Sequence, residues 1–159
     1  MPGLYSIIKT EQITECSNKD KLFIDRAFMN AFFSDFNSSL KLGACLVVSK
    51  KKYYTGYNQR CRTKICGSNY MSVHAEIHAL ANYMKQEYGK YSILHHPEHD
   101  ESKLTMYVVR MMNNPLHPPY GISKPCKRCE YFLYHNNIKY IKYTDVENGV
   151  QVLRTMQRS

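Results

Sequence analysis

Apolar residues Leu22, Phe23, Ile24, Ala27, Phe28, Ala31 and Phe32 recur at helical spacing, which predicts a helix over residues 19–36. Asn37-Ser38-Ser39 supplies the turn chemistry that ends it. Residues 1–17 are polar without a clear period and read as an irregular arm. Gly43-Ala44-Cys45-Leu46-Val47-Val48 is a continuous apolar run, the mark of a buried strand. Ser49-Lys50-Lys51 turns the chain, and Lys52-Tyr53-Tyr54-Thr55-Gly56-Tyr57 reads as the hairpin partner. Residues 58–70, rich in Arg, Lys, Gly and Ser, read as a loop. Ser72 is placed to cap a second helix, whose apolar positions Ala75, Ile77, Ala79, Leu80, Ala81 and Tyr83 carry it to residue 86. Residues 87–103 read as an irregular insertion, 104–111 as a strand, and 113–121 as a Pro- and Asn-rich loop. Pro125 stands where a third helix starts, and that helix runs to residue 135. Residues 138–143 and 150–153 read as two last strands, reversed through Asn148-Gly149.

The order helix, two strands, helix, strand, helix, two strands predicts an α/β fold, a three-layer α/β/α sandwich around a mixed sheet of about five strands. The 159 residues suit one domain over 18–159 behind the arm at 1–17. Hydrophobic residues at 43% and charged residues at 22% exclude a disordered tail and a coiled coil. No apolar run approaches the roughly 20 residues of a membrane helix. The first residues lack the basic patch and apolar core of a signal peptide. A cytoplasmic, reducing location without a membrane partner is therefore expected, and the six cysteines read as reduced thiols or metal ligands. Lys and Arg total 22 against 13 acidic residues, a net charge of +9. That balance suits an anionic partner such as nucleic acid or a nucleotide phosphate, or simply a soluble surface.

Chemistry concentrates at two predicted helix starts. His74-Ala75-Glu76 opens one, and Pro125-Cys126-Lys127-Arg128-Cys129 opens the other. Cys126 and Cys129 are three apart, so on a helix they share a side and can grip one ion. Free N–H groups and the positive dipole end of a first turn favour thiolates. One imidazole and two thiolates make a three-ligand zinc site with an open fourth position, the catalytic arrangement. Glu76 is then left to move protons. A purely structural zinc would not require Glu76, and buried thiols without metal would not require His74.

Together these residues form the H-x-E and P-C-x-x-C signature of the zinc-dependent nucleobase deaminases. The chain resembles the cytidine deaminase-like superfamily from about residue 20 to 153, in the same order of elements. The resemblance implies His74, Cys126 and Cys129 as ligands of one catalytic zinc, with Glu76 as the proton carrier. It implies hydrolysis of a cytosine nucleoside or nucleotide to the uracil product and ammonia. Base contacts are implied for the Ala75 N–H and for the backbone of Ser123 and Lys124. Homo-oligomers, dimers or tetramers, are also implied. Within the superfamily an antiparallel last strand is the habit of the free-nucleoside branch, whereas a metal-binding His is commoner among nucleotide and tRNA deaminases. The alternatives are an RNA- or DNA-directed deaminase, including a tRNA adenosine type, and an inactive zinc-stabilised binding protein. The compact chain favours a small-molecule substrate over nucleic acid.

Other residues carry two readings each. Asn58 matches a family position that bonds the substrate, or is a turn asparagine at a strand end. Arg60, Arg62 and Lys64 suit a phosphate, or form a solvated basic loop. His78 has H-x-x-x-H spacing from His74, yet the two cysteines are better partners and a packing role is expected. Cys61 and Cys66 with His95, His96 or His99 offer a second zinc site at generic spacing. Cys45 is expected to be buried. The 14 tyrosines suit base stacking or strand packing.

Overall fold

The computed structural model describes residues 3–36, 40–49, 51–60, 63–65, 68–70, 73–89, 104–112 and 119–159. The strands are β1 (Tyr5–Gln12), β2 (Leu42–Ser49), β3 (Lys52–Tyr57), β4 (Thr63–Ile65), β5 (Ser68–Tyr70), β6 (Thr105–Met111), β7 (Tyr120–Gly121), β8 (Tyr140–Glu147) and β9 (Val150–Arg158). The helices are α1 (Asn18–Ala31), α2 (Ala75–Tyr88) and α3 (Lys127–His135). Seven strands make one mixed sheet in the order β1-β9-β8-β6-β2-β3, with β7 paired to β6. Only the β6–β8 pair is parallel among the described residues. The expected α/β/α sandwich is present, with two more strands in its sheet than the pattern of the sequence indicates.

Strand alternation sorts the core into two layers. Ala44, Leu46, Met106, Val108, Ile141 and Tyr143 pack with α2 and α3. Their neighbours Cys45, Val47, Tyr107 and Val109 pack with Phe23, Ile24 and Ala27 of α1. Full burial of a side chain such as Leu46 or Ile141 contributes roughly 1.5–3 kcal/mol relative to exposure. Two glycines set how close the helices come. A Cβ at Gly43 would lie 1.8 Å from the Ala27 carbonyl oxygen of α1, and one at Gly56 would lie 2.3 Å from the Ala79 nitrogen of α2. Backbone therefore rests on backbone at both places.

The structure departs from the pattern at three places. Residues 5–12, expected within an irregular arm, form an edge strand on β9. Its side chains after Tyr5 are mostly exposed, so the pairing rests on main-chain hydrogen bonds that no apolar alternation announces. Helix α1 ends at Ala31, five residues early, and Phe32 and Phe33 continue the apolar pattern at the surface. The loop at 58–70 contains the β4–β5 hairpin, apart from the main sheet. The last two strands do form the expected hairpin, with Asn148 at φ 52° and Gly149 at φ 78° as a tight turn requires.

Candidate active site

Helices α2 and α3 begin with the chemistry the sequence marks. His74 is the N-cap of α2 and Cys126 the N-cap of α3, both in extended backbone and neither side chain capping its own helix. Ser72, expected as the cap of α2, lies outside the described residues. Freed from capping, the His74 imidazole turns to the other helix. Its Nδ1 lies 3.2 Å from Cys129 Sγ and 3.7 Å from Cys126 Sγ. All three donor atoms fall within 4.8 Å of one another. Donors bound at about 2.0–2.3 Å on a tetrahedron stand roughly 3.3–3.8 Å apart, so the two distances from His74 are close to those of a zinc site. It is the one such donor group among the described residues.

Glu76, in the first turn of α2, is buried at 3% exposure. Burial pushes the Cys129 thiol well above its ordinary range, and the neighbouring Glu76 and Cys126 raise it further. Glu76 and Cys129 are buried beside the exposed Cys126; as anions these three groups repel one another, and a divalent cation relieves that repulsion. The donor set therefore fits zinc.

A cleft of about 310 Å³ opens onto this cluster, lined by Phe36, Leu40, Leu42, Asn58, Val73, His74, Ala75, Glu76, Lys124 and Cys126. Polar groups of both helix starts meet apolar walls from Phe36, Leu40 and the first residue of β2, and from Val73 just before α2. The motif residues were evident from spacing. Phe36, Leu40, Leu42 and Val73 were not, although an aromatic residue stranded beyond the helix at Phe36 is the signal that would have marked that wall.

The remaining candidates divide. The Asn58 amide is in the cleft wall, but its Oδ1 accepts from the Leu42 N–H at 2.8 Å and its Nδ2 donates to the Leu40 carbonyl at 2.7 Å. Ala75 and Lys124 line the cleft. The Ser123 N–H instead donates to the Thr144 carbonyl at 2.9 Å, and the Ser123 hydroxyl donates to the Val108 carbonyl at 2.7 Å. Ser123 thus ties the approach to α3 to β6 and β8. Arg60 reaches over Phe36 at 5.8 Å from the ring centroid, while its N–H donates to Asp35 at 2.8 Å. His78 takes the expected packing role: Nδ1 accepts from the Tyr57 N–H at 3.1 Å, and burial lowers its pKa. Cys45 is buried as expected. Arg62, Cys61, Cys66, His95, His96 and His99 lie outside the described residues, as does the Lys64 side chain.

A family model described as the cytidine and deoxycytidylate deaminase zinc-binding region matches residues 17–145. The chain belongs to this family. Among solved structures it is similar to cytidine deaminase from Burkholderia pseudomallei, at 18% identity, a TM-score of 0.52, and coverage of 86% of this chain and 91% of that one. It is likewise similar to dCMP deaminase from the cyanophage S-TIM5, at 18% identity, a TM-score of 0.50, and coverage of 84% and 89%. At such identity the likeness is one of fold. No curated protein matches the sequence. No helix among the described residues is long and apolar enough to cross a membrane.

Proposed function

We propose that this chain is a zinc-dependent hydrolase that deaminates a cytosine nucleoside or its 5′-nucleotide, releasing ammonia. The observation that carries the reading is the triangle of His74 Nδ1, Cys126 Sγ and Cys129 Sγ, with buried Glu76 in the same cleft. His74, Cys126 and Cys129 would hold one zinc ion and leave a fourth position open to the cleft. When bound, zinc supplies the Lewis acidity that makes water a competent nucleophile near neutral pH. Glu76 accepts a proton from that water as a C–O bond forms at the carbon bearing the amine. It passes that proton to the ring nitrogen, takes up the remaining proton of the added hydroxyl, and delivers it to the amine as the C–N bond breaks and the carbonyl forms. Burial among apolar walls strengthens each of these charge interactions.

The cleft volume lies at the lower end of the roughly 300–1,000 Å³ of small-ligand pockets, which supports one nucleoside unit as the occupant. Phe36 supplies a face for a base, and Arg60 and Lys124 at the rim suit a 5′-phosphate. The antiparallel β8–β9 hairpin supports the free-nucleoside side of the resemblance, whereas His74 supports the nucleotide side. Ammonia release from cytidine, deoxycytidine, their monophosphates, guanine and a tRNA tests the proposal. Turnover of at least one free cytosine compound is expected. Activity confined to the tRNA would replace this reading with the RNA-directed one.

A further inference from the structure

The outer face of α3 carries a surface that the deamination chemistry does not use. Lys127, Arg128, Tyr131 and His135 are exposed along it, with Tyr131 at 53% exposure. The Tyr131 and His135 rings stand 4.3 Å apart, and the Arg128 guanidinium lies 5.9 Å from the Phe132 centroid. Beyond the helix end, the Arg158 guanidinium covers Tyr134 at 4.0 Å, and Lys139 lies over Tyr140 at 5.3 Å. Glu130, half-buried, is the one acidic side chain of α3, and Lys124 and Lys127 both act on it. Cations and aromatic rings thus alternate in blocks, Lys124, Lys127 and Arg128 at the helix start, the rings from Tyr131 to His135 along it, and Lys139 and Arg158 beyond its end.

That alternation has a specific complement. An aliphatic or acidic protein surface would use neither the rings nor the charges together, whereas a nucleic acid strand presents a phosphate and a flat base at every step. Nine helical residues span about 14 Å at 1.5 Å each, enough for a few nucleotides. The overall charge of +9 adds long-range attraction for a polyanion. We propose that the outer face of α3, from Lys127 to His135 with Arg158 at its end, binds single-stranded nucleic acid without regard to base sequence. This surface is separate from turnover: it holds a strand and does not require the strand to be deaminated.

Fluorescence anisotropy with a labelled oligouridylate of about 15 nucleotides tests this, because uracil offers no amine to remove. Three or four neutralised phosphates give a log–log salt slope near −2 to −3, so affinity falls about 20- to 50-fold between about 50 and 200 mM salt. Lys127→Glu/Arg128→Glu should weaken binding about tenfold or more, whereas Lys19→Glu/Lys21→Glu, the same charge change on α1, should have a much smaller effect. Tyr131→Ala should weaken it about fivefold or more, and Tyr131→Phe should restore it. The Glu76→Ala variant should bind as the parent does, which separates this surface from the deaminase reading. Absence of binding at low salt, or equal losses for the α3 and α1 charge reversals, overturns the proposal. So does a change from dimer to monomer in the α3 variants with oligonucleotide binding intact, since the face would then join two copies of this chain.

Discussion

The start of α1 and the starts of α2 and α3 solve the same physical problem in opposite ways. Each leaves backbone N–H groups without helical partners. At α1, Ser17 accepts the Asp20 N–H at 3.1 Å, and the Asp20 carboxylate accepts from Tyr107 and from Lys142 at 2.9 Å. The cap and the first-turn carboxylate thus find their partners within the fold, and α1 is tied to β6 and β8. At α2 and α3 the N-caps are His74 and Cys126, and neither caps its helix. Their side chains meet at 3.7 Å in the wall of the cleft. The first arrangement gives stability, and the second keeps polar groups available for a metal and a substrate. The difference predicts that damage at the two places is read out differently.

Glu76→Ala should separate them most sharply. General acid–base assistance is worth about 10²–10⁴-fold, and one carboxyl here serves successive steps, so kcat for the best substrate should fall by at least that much. Zinc content and melting temperature should stay near those of the parent, and metal analysis beside calorimetry checks both. Zinc loss in this variant would recast Glu76 as a ligand.

Cys126→Ser/Cys129→Ser should remove zinc, from about one equivalent per chain to a trace, and activity with it. Elemental analysis of the purified proteins decides this. Full occupancy in the double variant would place the metal elsewhere.

Asp20→Asn should invert the pattern, lowering stability by about 2–3 kcal/mol while zinc content and kcat hold. Burial alone would raise the Asp20 pKa, but the hydrogen bonds from Tyr107 and Lys142 hold it below the ordinary carboxylate range. Its contribution is therefore full above the unfolded carboxylate value and is lost as pH falls through the depressed folded one. Denaturant titrations should show the Asp20→Asn deficit shrinking as pH falls below about 4. A deficit that does not change with pH would mean that the carboxylate charge is immaterial. Ser17→Ala is the mildest change, about 1 kcal/mol for a lost cap, again without effect on the metal.

The sequence revealed the reactive helix starts better than the frame around them. His74 with Glu76, and Cys126 with Cys129, lie at short fixed spacings at the two helix starts, and the three-residue step of the cysteines puts both on one side. The buried strands β2 and β6 were equally plain, because unbroken apolar runs have few other uses. Strand β1 was not, since Ile7 and Ile8 are both exposed and its partner stands at the far end of the chain. The early end of α1 was hidden by Phe32 and Phe33, which extend the apolar rhythm without being buried. The cleft wall at Phe36, Leu40 and Leu42 depends on how β2 meets α2, a tertiary relation that no local period encodes.

Gly56 carries a warning for anyone sorting variants of this protein by activity. It lies outside the cleft lining, yet a Cβ there would also meet the Ala75 carbonyl oxygen at 2.6 Å. Ala75 sits between His74 and Glu76. The glycine acts as a mechanical stop that fixes how deep the reactive end of α2 is seated. A methyl group at that position would lift the imidazole and the carboxyl together, away from cysteines that had not moved. In a screen scored by product alone, Gly56 would be counted among the reacting groups.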